Sequence, residues 1–437
     1  MSELGKTVTL GRGVVLAILM VIGSGLLGLP GLVADVGTVK EVVFGWLLII
    51  LATMPLIQIC SRLGVKFPYS GGLSHYVREA VGEWGGYAAT TLVCGTFILG
   101  IPSVAFIGGA YMQHLFDLPA PGAYLLPILL ITLMTTITVA GVRVISIINY
   151  VAVAVLLFLI AALTFFNFNF FATGLGYSVQ ALQGCISGTG GEGLNFHNVW
   201  KISTLLFWAF LGWENMSFGL GELQDPERNV PRVFWLSFGL TSFIYLMLAL
   251  TSIGADAEGV PLGGASGLVE LVRFTPVGDL LIWLMAIVIV ANVTAWNFAS
   301  SRMLYAAGKS GVLPAYLGTL SKKGRPLGSL ISMYAAFVLV ILGTYMFKVP
   351  LSALMMLVNQ NFLFLYGFIL LSYWKIEIGW RRWVYSFLSL ISLSFLVSGF
   401  SWTVIYSFVL MGFGYLVYLK KRARSVAAPV SVLPGSE

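Results

Sequence analysis

Apolar residues run along this chain in long unbroken blocks, and polar residues collect in short gaps between them; neither the alternation of a half-buried strand nor the one-sided stripe of a surface helix is present. The blocks fall at about 13–34, 42–61, 85–112, 123–142, 144–166, 202–221, 233–254, 280–301, 327–347, 351–374, 383–398 and 400–419. Blocks of roughly 20 residues carry a helix across about 30 Å of hydrocarbon. The pattern predicts an all-α integral membrane protein with twelve transmembrane helices. The last two blocks share one uncharged stretch too long for a single helix, and the division is placed at Ser398-Gly399-Phe400-Ser401.

Two blocks are interrupted at mid-depth. The first carries Gly23-Ser24-Gly25, with Gly28 and Pro30 just beyond, and the sixth carries Gly212 and the carboxylate of Glu214 within Phe207-Trp208-Ala209-Phe210-Leu211-Gly212-Trp213-Glu214. Glycine and proline at membrane depth invite a helix to break, and a break is tolerated in lipid only where the freed backbone faces protein or an aqueous cavity. Interruptions at matching depths, five spans apart, point to an inverted-repeat transporter with its site at the breaks. The longest connection, 167–200, is rich in Gly and Asn and includes Ser187-Gly188-Thr189-Gly190-Gly191-Glu192-Gly193. It lacks the Lys-Ser/Thr ending of a phosphate-binding loop and is expected to be a flexible loop.

Charge adds an orientation. Only 9% of the 437 residues are charged against 58% hydrophobic, too little charge to coat a water-soluble globule. With both termini cytoplasmic, only Lys40, Lys201, Arg273 and Lys348 of the 24 basic residues fall outside, as the positive-inside rule requires. The net charge of +7 thus expresses topology, and no nucleic-acid binding is inferred from it. The first block is full length, unlike the brief apolar core of a cleaved signal peptide, so it is expected to remain. Cys60 and Cys94 lie inside spans and Cys185 lies alone in a loop, so no disulfide framework follows. His75, His114 and His197 lack metal-ligand spacing, and no metal or cofactor is inferred.

Glu214 is the one acidic residue deep in a block, and no Lys or Arg is placed there. An ionisable group at that depth is costly and marks a functional site or proton relay by default; the plainer alternative is a neutral, hydrogen-bonded glutamate tying two helices together. For Gly23-Ser24-Gly25 the alternative is close packing through small residues. Taken with Phe210-Leu211-Gly212, the binding reading gains: amides at one break suit a carboxylate, carbonyls at the other suit an ammonium, and together they suit the backbone of an amino acid. A channel would need a continuous polar lining, and an intramembrane enzyme a nucleophile with its base; the chain offers neither, and it is not expected to be an enzyme. A non-transporting amino-acid sensor stays open.

Ile22-Gly23-Ser24-Gly25-Leu26-Leu27-Gly28-Leu29-Pro30, then Phe207 to Glu214, then Asp225-Pro226-Glu227-Arg228-Asn229-Val230-Pro231-Arg232 resemble the amino acid/polyamine/organocation transporters. Phe67-Pro68-Tyr69-Ser70-Gly71-Gly72 and Lys309-Ser310-Gly311-Val312-Leu313-Pro314 fit the same superfamily, and Gly100-Ile101-Pro102-Ser103 looks closest to bacterial exporters of methionine and branched-chain amino acids.

The resemblance implies a single transporter domain, 1–420, with a five-plus-five inverted repeat (13–166 and 202–374), two further helices (383–419), a cytoplasmic tail (421–437) and alternating access. By motif position, the Ser24 and Gly25 amides would hold a substrate carboxylate, and the Ile22, Trp208 and Leu211 carbonyls its ammonium. Glu214 would fall on the family's proton-sensitive gating glutamate, and Asn292 and Trp296 would face the site. Ile101, Val104, Phe210 and Trp296 offer apolar surface, which suits methionine, leucine, isoleucine or valine. The implied function is a secondary carrier in a bacterial inner membrane, an exporter or proton antiporter, with an importer or exchanger as the alternative. No lysine stands in the fifth span, where one can replace sodium; Ser300 and Ser301 offer sodium oxygens, but hydroxyls in membrane helices commonly bond their own backbone, so a proton is favoured. A homo-oligomer is compatible with the pattern. In Asp225-Pro226-Glu227-Arg228, Asp is expected to cap a short helix, with Pro at its first position and Arg at the membrane surface.

Overall fold

Two of the expected spans are broken in the middle, and the rest of the fold is arranged to hold them. In a computed structural model, residues 8–68, 72–116, 122–140, 142–187, 194–217, 220, 223–309, 311–322, 324–397 and 401–427 are described. The first span divides into α1 (Leu10–Val21) and α2 (Ser24–Ala34); α3 (Val39–Lys66), α4 (Gly72–Val81), α5 (Glu83–Leu115), α6 (Gly122–Ala140), α7 (Val142–Phe166) and α8 (Phe168–Ile186) follow. The sixth span divides into α9 (Phe196–Leu206), a 3-10 turn (Phe207–Phe210) and α10 (Trp213–Met216). Beyond it come α11 (Pro226–Ala257), α12 (Leu268–Val272), α13 (Gly278–Lys309), α14 (Leu327–Met346), α15 (Leu351–Ile376), α16 (Trp380–Val397) and α17 (Ile405–Ala427).

Among the described residues seven helices are long and apolar enough to cross a membrane, or up to eight if the bent pair α7 and α8 counts as one span. The four other expected spans fall on the broken pairs α1–α2 and α9–α10 and on the 19-residue α6 and 18-residue α16. The 33-residue α5 is the central column, packed against α6, α13, α15 and α17. At one end of the bundle Thr38 and Glu41 form a capping box at the start of α3. The buried Glu41 carboxylate also accepts from the Asn195 N–H at 2.9 Å and the Asn198 amide at 3.2 Å, which fastens the start of α9 to α3. At the opposite end, Glu377 pairs with Arg62 (3.3 Å) and Lys66 (3.5 Å), joining the ends of α3 and α15. Burial pushes the Glu377 carboxyl up, but the Arg62 hydrogen bond and the charges of Arg62 and Lys66 outweigh it and hold the group below the usual glutamate value.

Three expectations are corrected. The 167–200 connection is not a flexible loop over its first half: α8 packs along α11, bent 80° from α7. Gly174 and Gly254 lie back to back, a Cβ on Gly174 overlapping the Leu250 carbonyl and one on Gly254 the Phe170 carbonyl. The glycine that reads as a loop signal is here a contact surface for another backbone. Residues 188–193 of that connection lie outside the described residues, as do Tyr69–Gly71, Ser310, the 398–400 division and 428–437 of the tail. Asp225 does sit at the N-cap with Pro226 first in the helix, but the helix is the 32-residue α11, and at φ 46° the Asp225 side chain makes no capping bond. The eighth span continues past Ser301 to Lys309 and so includes Arg302, because the helix outlasts the apolar stretch.

Candidate substrate site at two helix breaks

The first break is made by two residues. The Ile22 N–H still closes the last turn of α1 on the Ile18 carbonyl at 2.7 Å, after which Ile22 is extended (φ −79°, ψ 117°) and Gly23 (φ −157°, ψ −133°) redirects the chain into α2. The first N–H groups of α2 therefore have no acceptor within the helix, and its positive end opens at Ser24 and Gly25. A Cβ on Gly23 would overlap the Asn292 carboxamide of α13, so that amide packs directly on the break.

The second break is longer. After α9 the chain tightens into the 3-10 turn, Leu211 is extended (φ −83°, ψ 148°), and Gly212 takes φ 122°. Glycine is required there twice over: the dihedral is costly for other residues, and a Cβ would overlap the Met20 carbonyl of α1. The Glu214 carboxylate folds back to accept the Gly212 N–H at 2.9 and 3.1 Å and the Tyr366 O–H at 3.1 Å. It thereby caps the break from which it hangs.

The breaks touch each other. A Cβ on Gly25 would stand 3.0 Å from Trp208 Cδ1 and 3.2 Å from Ala209 Cα, so the bare glycine backbone is what lets the first break approach the second this closely. The Trp208 indole reaches on to α5, its Cη2 lying 3.7 Å from a Cβ built on Gly100. Tyr245 of α11 donates to the Ala209 carbonyl at 2.8 Å and lies 3.4 Å from the Val21 carbonyl, one hydroxyl serving a freed carbonyl at each break. Asn359 of α15 donates to the Thr204 carbonyl at 2.6 Å, at the end of α9. These bonds answer the membrane's demand that every freed backbone group find a partner.

Of the residues expected at the site, Ile22, Gly25, Trp208, Leu211, Glu214 and Asn292 gather at the breaks. Ile101 and Val104 are buried on α5, next to Gly100 and its Trp208 contact. The Phe210 ring turns to α11, 5.4 Å from Tyr245 and 6.1 Å from Phe238, and Trp296 stands edge-on to Phe97 of α5 at 5.8 Å. The Ser24 backbone begins α2; its side chain lies outside the described residues. The Trp208 carbonyl accepts the Leu211 N–H at 3.3 Å. Tyr245, Tyr366 and Asn359 were not singled out from sequence, although a polar atom in the middle of an apolar block is itself a signal. Ser300 and Ser301 donate to the Asn297 and Phe298 carbonyls, and Arg302 donates to the Ser301 hydroxyl at 3.0 Å while its guanidinium lies 3.3 Å from the Phe298 ring centre.

A helical membrane bundle built around two opposed helix breaks, with the amino-terminal end of a half-helix at one and a carboxylate at the other, has the architecture of a transporter and not of an enzyme. The chain belongs to the amino acid permease family, whose sequence profile matches residues 13–432, and so to the amino acid/polyamine/organocation transporters. It is similar to the uncharacterized amino acid permease YecA of Bacillus subtilis (strain 168), 24% identical over 97% of each chain. It is also similar to the L-methionine/branched-chain amino acid exporter YjeH of Escherichia coli (strain K12), 22% identical over 87% of this chain and 89% of that one. The fold matches the crystal structure of MhsT in complex with L-phenylalanine with a TM-score of 0.61 at 14% identity, covering 93% of this chain and 98% of that one. The protein is a multi-pass membrane amino acid transporter.

Proposed function

We propose that this transporter carries neutral, apolar amino acids by alternating access, with the substrate backbone held at the two breaks and proton exchange at Glu214. The observation that carries this reading is the contact of Gly25 with Trp208 and Ala209, which brings the amino-terminal end of α2 beside the opened backbone of the sixth span. In this reading the Ser24 and Gly25 amides take the carboxylate, and the Ile22, Trp208 and Leu211 carbonyls take the ammonium. Ile101, Val104, Trp208, Phe210 and Trp296 supply apolar surface, and Asn292 frames the first break. Among the described residues Glu214 is the one carboxylate at the breaks, and it is already engaged by Gly212 and Tyr366, so no second acid awaits a cationic side chain. Similarity to YjeH, a methionine and branched-chain amino acid exporter, supports such a substrate and export.

Proton coupling is favoured over sodium by the surroundings of Ser300 and Ser301. Arg302 donates to the Ser301 hydroxyl oxygen at 3.0 Å, occupying a lone pair that a sodium ion would use, and its resident charge would repel a second cation there. Paired breaks in α1–α2 and α9–α10 support the five-plus-five repeat, with α16 and α17 as additions. The basic residues support cytoplasmic termini in a bacterial inner membrane.

Counterflow tests this directly. Proteoliposomes preloaded with unlabelled leucine or methionine should transiently accumulate the labelled amino acid from outside. Absence of accumulation by folded protein across a panel of neutral amino acids would overturn the substrate class.

A further inference from the structure

Between α15 and α16 the chain turns through Gly379 at φ 72° and lays two arginines against three tryptophans. The Arg382 guanidinium lies 4.1 Å from the Trp374 ring centre and 5.9 Å from that of Trp383, and these two rings stand edge to face at 4.6 Å. Arg381 lies 5.7 Å from the ring centre of Trp380. The aromatic grip fixes the Arg382 cation without neutralising it. Its Nε is buried with no hydrogen-bond partner, and among the described residues no carboxylate pairs with it, since neighbouring Glu377 is taken by Arg62 and Lys66. Around this unanswered charge, Ile378, Trp380 and Trp383 are 76%, 65% and 63% exposed. Val384, Phe387 and Leu388 continue an exposed apolar surface along α16.

A small soluble anion would answer the arginines and leave three large apolar side chains bare. A phospholipid answers both: its phosphate suits the planar fork of arginine, its glycerol level suits interfacial tryptophan, and its acyl chains suit the face of α16. We propose that Arg381 and Arg382, framed by Trp374, Trp380 and Trp383, form a binding site for the headgroup phosphate of an anionic phospholipid. The site lies at the Arg62–Glu377 end of the bundle, where the anionic leaflet and the basic residues coincide in the topology given above. A lipid seated there braces the α15–α16 turn, next to the latch between α3 and α15.

Native mass spectrometry of the full chain in detergent, with equal amounts of phosphatidylglycerol and phosphatidylcholine, measures the site. The wild type is expected to retain phosphatidylglycerol with about tenfold preference. R381Q/R382Q should reduce that preference at least about fivefold, while K322Q/K420Q, which removes two exposed charges elsewhere, should keep it. R381Q alone changes an exposed side chain, so it tests the site even if the double variant does not fold, and should lower the preference in the same direction. Equal retention by R381Q and the wild type would overturn the proposal. So would an equal loss in K322Q/K420Q, which would mean diffuse attraction, or displacement of the lipid by inorganic phosphate at equal concentration, which would mean a free-anion site.

Discussion

Tyr366 of α15 donates its hydroxyl to the carboxylate of Glu214 at 3.1 Å, and that same carboxylate accepts the Gly212 N–H, so one side chain links a scaffold helix to the hinge of the sixth span. Seven residues before Tyr366, Asn359 holds the end of α9 on the other side of the break. The two halves of the sixth span are thus held by one face of α15 through different chemistry, one bond to a neutral carbonyl and one to an ionisable group. Only the second can be altered by a proton.

A change of charge at Glu214 should therefore act on the α10 half of the span and spare the α9 half. Glu214→Gln keeps an acceptor for Gly212 and Tyr366 but cannot ionise. Exchange of neutral amino acids should continue at a reduced rate and lose its pH dependence. Tyr366→Phe removes one hydrogen bond to a charged group, worth about 1.5–3 kcal/mol, and should slow exchange by at least about tenfold while leaving pH dependence in place. Rates in proteoliposomes between pH 5.5 and 8.5 check both, and an unaltered pH profile in Glu214→Gln would return Glu214 to a purely structural role.

Gly25 is a second sharp test. A valine there would place Cβ 3.0 Å from Trp208 and 3.2 Å from the Ala209 backbone, so the two breaks must separate. Overpacking of this kind costs about 1–3 kcal/mol, and the displaced amides lose their aim. Gly25→Val should abolish substrate binding measured by scintillation proximity, with the folded protein still monodisperse on size exclusion; unchanged affinity would remove the first break from the site.

Sequence revealed the breaks because their causes are local. Glycine at membrane depth and a lone carboxylate in an apolar block are each costly enough to need a reason, which made Gly23-Ser24-Gly25, Gly212 and Glu214 visible. The partners that satisfy those breaks were not visible, because Tyr245 becomes a partner of Ala209 and Val21 only once α11 crosses both. Phe210 shows the same limit: its position in the motif is plain, but the direction of its ring, toward Phe238 and Tyr245, depends on packing. α8 failed for the opposite reason, since Gly174 and Gly176 lower helix propensity locally while the close contact with α11 overrides it. Arg302 was placed beyond its span because hydropathy ends at Ser301 and the helix does not.

The α8–α11 contact makes a prediction of its own. Gly254→Leu would drive a side chain into the Phe170 carbonyl, and no rotamer relieves a clash at Cβ. The helices must part along the contact. Thermal stability in detergent should fall by several degrees, and a cysteine pair bridging the two helices should cross-link less readily than in the parent. Wild-type melting and cross-linking would show that α8 does not rest on α11.

The latch at the other end depends on acid in a direction that can be worked out. The Glu377 carboxyl, held below its usual value by Arg62 and Lys66, stabilises the fold when ionised. A carboxyl depressed in the folded state contributes fully above its unfolded value, about 4.3, and loses that contribution as the pH falls through the folded value. With partners that are 26% and 30% exposed, the pair stands between a surface and a buried ion pair, so Glu377→Gln should cost about 1–2 kcal/mol at pH 7. The gap in melting temperature between wild type and variant should be constant from pH 8 to about 5 and close below about pH 4. A gap that persists at pH 3 would assign the loss to packing around Glu377 and not to its charge.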